Sequence, residues 1–203
     1  MTPPGLEKTT HVLLSERLRR IGFETVGFLS FCRTVDGCNQ LINVGCRSEG
    51  GKLKLTCTLG VRFDVIESLL RPKNLDKSYP TVSCPVHLLR PEREYYEWEG
   101  GNDEEVMIAV ESMIAEIHEV GLGFFDRFKT IEAVKKDLSG SVVSSWLILS
   151  PHQRTTTLAA IALVRGERSD AESLFADAMK DPRNQNSGKR RLLEELRAQL
   201  LLE

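Results

Sequence analysis

The sequence predicts an α+β protein in which an antiparallel β-meander, extended by one or two edge strands, packs against helices and is followed by a C-terminal helical hairpin and a terminal helix. Three observations predict it. Leu53, Leu55, Cys57, Leu59, Val61 and Phe63 put an apolar side chain at every second position, the signature of a half-buried strand. Two dipeptides suited to tight hairpin turns, Asp36-Gly37 and Gly50-Gly51, stand upstream of and between apolar runs. Helical spacing with capping signals then brackets the strand region on both sides.

The first helix is expected from Leu6 to Ile21, with Leu14, Leu18 and Ile21 on one face and Glu16, Arg17, Arg19 and Arg20 elsewhere. Gly22 supplies the left-handed residue that ends it, and Phe23 sits where a terminating apolar contact belongs. The three meander strands are expected over Val26–Thr34, Leu41–Arg47 and Leu53–Phe63. If the two dipeptides are turn centres, paired residue numbers sum to about 73 in the first hairpin and about 101 in the second. One face then collects Leu29, Phe31, Ile42, Val44, Leu55, Cys57 and Leu59 as core. The other face carries Phe28, Ser30, Cys32, Leu41, Asn43, Thr56 and Thr58, a mixed set that asks for a partial cover.

Residues 71 to 81, with Pro72, Lys73, Asn74, Asp76, Lys77, Ser78 and Pro80, read as a loop. Val82, Cys84, Val86 and Leu88 alternate again, but Pro85 has no N–H for a ladder and makes this fourth strand an edge. A short fifth strand includes Tyr95, Tyr96 and Trp98. Gly100-Gly101 closes the region, and Asn102 or Asp103 caps a helix with an acidic first turn and a face of Val106, Val110, Met113, Ile114 and Ile117, ending at Gly121. Thr130 caps a short helix over Ile131–Leu138, and Val142–Leu149 fits either a strand or a buried helix. Ser150 with Gln153, and Ser169 with Glu172, form capping-box patterns, with Pro151 at a first helical position and Gly166 between the two helices. Ala159, Ala160, Ala162, Ala171, Ala176 and Ala178 let that pair approach closely, and a last amphipathic helix runs from about Gly188 through Leu192, Leu193, Leu196 and Leu200. Residues 1–149 thus form an α+β domain and 150–203 a helical extension packed on it as one compact unit.

Composition excludes several classes. With 27 Lys and Arg against 29 Asp and Glu in 203 residues, there is no net field to recruit nucleic acid, and Lys189-Arg190-Arg191 reads as a solvated helix face. No apolar run reaches the roughly 20 residues a membrane helix needs, and Met1 to Lys8 lacks a signal-peptide layout, so a soluble cytoplasmic protein is expected. Cys32, Cys38, Cys46, Cys57 and Cys84 are an odd set without C-x-x-C spacing, which points to reduced, buried thiols rather than disulfides or zinc.

The order of helix, meander with an aspartate–glycine turn, edge strands, long helix, then Gly121-Leu122-Gly123-Phe124-Phe125-Asp126-Arg127-Phe128 and a short helix resembles the bacterial domain of unknown function family 4304. The resemblance covers roughly Val12 to Leu138, with the alanine-rich hairpin a looser match. That family has no assigned activity and no agreed catalytic residues, so the resemblance transfers no residue roles. It implies a bacterial cytoplasmic protein of the kind that acts in binding or toxin–immunity settings.

No motif specifies a reaction, a metal or a cofactor. His11, His87, His118 and His152 are isolated in sequence; the Asp103–Glu105 carboxylates are explained by the helix dipole; Gly121-x-Gly123 is expected to be a helix stop; and no G-x-S-x-G elbow is present. Cys32 and Cys84 are the cysteines expected to face the core least. The concentration of Tyr79, Arg90, Arg93, Tyr95, Tyr96 and Trp98 within twenty residues is the best candidate for a site, because Tyr, Trp and Arg dominate binding hot spots and these lie at an edge strand open to strand addition. The competing account has Tyr96 and Trp98 facing the core while Tyr95 and Glu97 face water. The leading expectation is therefore a non-catalytic protein-binding module. The alternative is an enzyme with a pocket between the sheet and the 103–120 helix, and a further expectation is homo-oligomerisation through Leu192–Leu201.

Overall fold

The computed structural model describes residues 5–71, 76–140, 146–180 and 187–199. In chain order they form α1 (Leu6–Arg19), β1 (Glu24–Gly27), β2 (Ser30–Val35), β3 (Cys38–Glu49), β4 (Lys52–Arg62), α2 (Asp64–Leu70), β5 (Val82–Pro85), β6 (Trp98–Gly100), α3 (Asp103–Glu116), α4 (Leu122–Arg127), α5 (Ile131–Ser139), α6 (Pro151–Val164), α7 (Arg168–Lys180) and α8 (Ser187–Gln199). The fold is α+β, with one antiparallel sheet of order β1-β2-β3-β4-β5 and β6 paired to β4.

Both hairpin registers follow the turn chemistry. Ser30 pairs with Asn43 and Phe31 with Ile42, while Ile42 pairs with Leu59 and Val44 with Cys57. Asp36 and Gly37 have φ of 49° and 82°, and Gly50 and Gly51 have 59° and 80°, the paired positive values of a two-residue hairpin turn. All seven residues assigned to the core face are buried.

The first strand differs from expectation. Val26–Thr34 is not continuous: Gly27 pairs directly with Ser30 through a turn at Phe28-Leu29, so the meander begins one strand earlier. Leu29 holds φ of 55° there, yet it is 1% exposed and its carbonyl accepts from Val44 N at 2.9 Å. A left-handed residue costs about 1–2 kcal/mol, and burying a leucine contributes about 1.5–3 kcal/mol, so the turn is held by the core.

Helices cover the core face. α1 ends as its sequence requires: Gly22 has φ of 86°, Phe23 N donates to Leu18 O at 3.0 Å, and both Phe23 and Leu18 are buried. Arg33 donates to Ile21 O at 2.9 Å and lies 4.6 Å from the Phe23 ring centre, sealing the same end. α3 is capped by Asn102, which accepts from Glu105 N at 3.0 Å, while Glu105 reaches back to Gly101 N at 2.7 Å. Gly121 does not stop this helix. It has a right-handed φ of −72° at the end of a π turn over Ile117–Gly121 that leads straight into α4. Its missing side chain is used for proximity, since a Cβ there would fall 2.9 Å from Leu59 Cδ1.

Among the described residues, a strap rather than a helix covers part of the opposite face of the sheet. The described part of the predicted loop, residues 76–81, lies across it as a strap: Asn43 Nδ2 donates to Ser78 O at 3.1 Å, and Arg62 Nη1 donates to Asp76 O at 3.2 Å and Tyr79 O at 3.0 Å. Leu41 is fully buried, Cys32 is half-buried, and Phe28 is exposed beside the His11 ring at 5.6 Å. Pro72, Lys73 and Asn74 of that loop fall outside the described residues. A methyl at Gly60 would meet Pro80 Cβ at 2.6 Å. Gly60→Ala is therefore expected to lift the strap at a cost of about 1–3 kcal/mol and to speed hydrogen exchange at the Thr81 amide, which is bonded to Val61 O. Unaltered exchange at Thr81 would show that the strap is not seated on Gly60.

The C-terminal helices pack against α2 and α5. α6 begins in the expected capping box at Ser150 and Gln153 with Pro151 in its first turn, and ends at Gly166 with φ of 71°. α7 starts at Arg168, so Ser169 lies inside the helix rather than capping it. Ala159, Ala160, Ala162, Ala171 and Ala178 are buried at the contact, but Ala176 faces outward. Leu193 of α8 is fully buried; the side chains of Leu192 and Leu196, and residues 200–201, lie outside the description, as do residues 142–145 of the ambiguous 142–149 stretch. Residues 146–149 are neither strand nor helix.

Candidate functional site: an aromatic groove where two edge strands meet

β5 and β6 share one edge of β4. β5 pairs from Val82 with Val61 to Pro85 with Thr58, and β6 from Gly100 with Leu53 to Trp98 with Leu55. Thr56 and Cys57 thus have no strand partner on that side among the described residues. Pro85 ends the first ladder because it has no N–H to continue it, and the chain turns away through a 3-10 turn over Val86–Leu89 instead of alternating to Leu88. Tyr95 and Tyr96 precede β6 rather than belonging to it.

The gap is a groove of about 270 Å³ walled by Thr56, Thr58, His87, Tyr95, Tyr96 and Trp98, with Cys57 at its base. His87 meets Tyr95 and Tyr96 edge-on at 5.3 and 6.2 Å, and Tyr96 meets Trp98 edge-on at 5.0 Å, the arrangement aromatic quadrupoles favour. Trp98 Nε1 donates to Ser112 Oγ at 3.2 Å, fixing the indole to α3. Tyr95 is 65% exposed, and its hydroxyl donates to Glu97 at 2.6 Å. Glu97 also accepts from Arg47 at 2.8 and 3.2 Å, and these bonds hold its carboxyl below the usual range. Burial lowers the His87 pKa, so the imidazole presents one donor and one acceptor at neutral pH.

Arg90 makes a two-pronged pair with Glu116 of α3 and lies 3.6 Å from Glu119. The Tyr96 hydroxyl is buried beside this pair without a hydrogen bond of good geometry, and burial together with Glu116 pushes the phenol well above its ordinary value. Arg93 is exposed in a left-handed conformation with φ of 55°, its charge close enough to oppose the burial that pushes the Cys84 thiol up to about 12. Five of the six sequence candidates therefore gather around one edge. Tyr79 does not: its ring lies 5.4 Å from the Arg71 guanidinium, on a separate cavity.

That cavity, about 410 Å³, lies between α2, the strap and the first turns of α6. Glu67 is 1% exposed on its wall. One carboxylate oxygen accepts from Arg71 and the other, Oε1, is buried without a hydrogen bond of good geometry among the described residues. Burial pushes the Glu67 carboxyl above its ordinary range, against the opposing pull of Arg71 and the Thr81 hydroxyl. Sequence reasoning missed this place because it assigned nothing to residues 64–70. The legible signal was Ile66 and Leu70 on one helical face beside the Glu67–Arg71 pair at i, i+4.

The other candidates resolve into structure. The interface between the sheet and α3 is filled by Val106, Val110, Met113 and Ile117, all buried. Cys84 is fully buried, not peripheral as expected, and burial also pushes the Cys57 thiol up to about 12, so neither is a ready thiolate. All five cysteines are free thiols. Among the described residues no group of three His, Cys, Asp or Glu is placed to hold a metal, and no helix is long and apolar enough to cross a membrane. No family model, curated protein or solved structure matches the chain.

Proposed function

We propose that this chain is a cytoplasmic bacterial protein-binding module, of the binding or immunity type that its resemblance to family 4304 implies, and that it takes an extended peptide segment of its partner at the groove between β5 and β6. The observation that carries this reading is the break in strand pairing at Thr56-Cys57, flanked by the exposed ring of Tyr95 and by His87. An incoming segment can offer backbone hydrogen bonds to the open edge while one of its side chains enters between the rings. Tyr95 suits a hot spot because its hydroxyl is already oriented by Glu97, so little side-chain freedom is lost on binding. The five free thiols agree with a reducing compartment.

Selection from a random peptide library displayed on phage tests the proposal. Peptides that bind the wild-type chain should lose about tenfold or more in affinity on Tyr95→Ala, roughly 1.4 kcal/mol, and less on Arg93→Ala. Tyr79→Ala, away from the groove, should leave binding unchanged. Peptides indifferent to Tyr95 and His87 substitutions, or no enrichment at all, would remove the groove from consideration.

A further inference from the structure

We propose that the cavity between α2, the 76–81 strap and the start of α6 binds a small organic anion, a carboxylate or phosphate carried on an apolar body, with Arg71 as its charge partner. This site is independent of the peptide groove. Its volume of about 410 Å³ lies in the range of small-molecule pockets.

The choice of an anion rests on which charge a ligand can reach. Glu67 is 1% exposed and its Oε1 is occluded, whereas the Arg71 side chain is 33% exposed at the cavity. Arg71 spends one nitrogen, Nη1, on Glu67; among the described residues Nε and Nη2 make no hydrogen bond. The bond to Glu67 and the Tyr79 ring at 5.4 Å restrain the guanidinium, which keeps unspent N–H donors of the kind that grip carboxylate and phosphate oxygens. His152 and Gln153 line the same cavity and bring to it the first turn of α6, where the helix dipole favours negative charge. Gln153 uses its carbonyl oxygen to accept from Ser150 N at 2.9 Å, which leaves its NH2 as a donor. Leu70, Pro80 and Ile148 supply the apolar wall. The repulsion expected from the buried Glu67 carboxylate is relieved if the group takes up a proton, a change that burial already favours.

The test uses the full chain and four probes, phenylacetate, phenyl phosphate, inorganic phosphate and phenethylamine, followed by amide chemical shifts and by calorimetry. Saturable shifts at Leu70, Arg71, Tyr79 and Gln153 are expected with phenylacetate or phenyl phosphate, at least tenfold weaker binding of inorganic phosphate, and none with the amine. The tighter of the two aromatic anions identifies a carboxylate or a phosphate-ester ligand. Arg71→Gln should weaken binding tenfold or more while Tyr95→Ala leaves it unchanged. Should Arg71→Gln fail to fold, the wild-type shift map decides alone. No saturable shift at these residues, shifts confined to the groove, or equal binding of the amine would overturn the proposal.

Discussion

Replacing Gly100 with alanine is expected to lower the melting temperature by up to about 12 °C, on the basis of about 1–3 kcal/mol for overpacking and roughly 2–4 °C per kcal/mol for a chain of this size. Gly100 pairs with Leu53 in the sheet and stands at the entry to α3. A methyl there would lie 2.6 Å from Val106 N and 2.8 Å from the Glu105 carbonyl carbon. Both are backbone atoms, so no rotamer change relieves the contact. The first turn of α3 is held by the Asn102 cap and by the Glu105 bond to Gly101. The strain must then open either the β4–β6 pairing or that cap, which alone is worth about 1 kcal/mol. Because Trp98 sits two residues upstream, peptide binding should weaken together with stability in this variant. Tyr95→Ala should separate the two, losing binding with the melting temperature unchanged. An unshifted melting temperature for Gly100→Ala, by calorimetry, would mean that β6 and α3 are not in this contact.

Glu67→Gln is expected to change the pH dependence of stability and to leave the fold intact. The Glu67 carboxyl is raised in the folded state above the ordinary value of 4.5, chiefly by burial. The folded chain therefore binds this proton more tightly than the unfolded chain, and folding is favoured while the group stays neutral. That contribution is complete below about pH 4.5 and is lost as pH rises through the folded value. Glutamine has no charge to lose, so the variant should gain on the wild type progressively from mildly acidic to neutral pH. The two should run parallel below the unfolded value. Denaturant unfolding of both chains at matched pH values measures this difference directly. A difference that does not grow with pH would place Glu67 outside a buried, destabilised setting.

The fold was legible in the sequence where local chemistry decides it. Asp36-Gly37 and Gly50-Gly51 can adopt the paired positive φ values of a tight hairpin turn, and a two-residue turn sets the register of everything along both strands. The Ser150 capping box and the Gly22 helix end likewise need only a few neighbouring residues. Legibility failed where distant residues set the outcome. Phe28-Leu29 carries no turn signal, and its conformation is held by burial of Leu29 and a bond to Val44. Gly121 looked like a helix stop because glycine tolerates a left-handed conformation. Its actual use is to let the helix approach Leu59, a residue far away in sequence.

The candidate sites divide along the same line. Crowding of aromatic and arginine residues between positions 79 and 98 is a local property, and it pointed to the β5–β6 edge, where Tyr95, Tyr96 and Trp98 meet. Composition could not separate Tyr79 from that group or draw His87 into it, because both depend on how the chain leaves the sheet after Pro85. The cavity around Glu67 and Arg71 is assembled from α2, the strap and α6, its lining residues running from Glu67 to Thr157 along the chain. The sequence by itself determined the α+β class, the two hairpin registers, the main helices with their apolar faces, and the crowding of Tyr95, Tyr96 and Trp98 beside one strand. Only the tertiary structure decided what covers the second face of the sheet and which ionisable groups are buried. Those outcomes depend on desolvation and steric contact between remote segments, which no periodicity along the chain records.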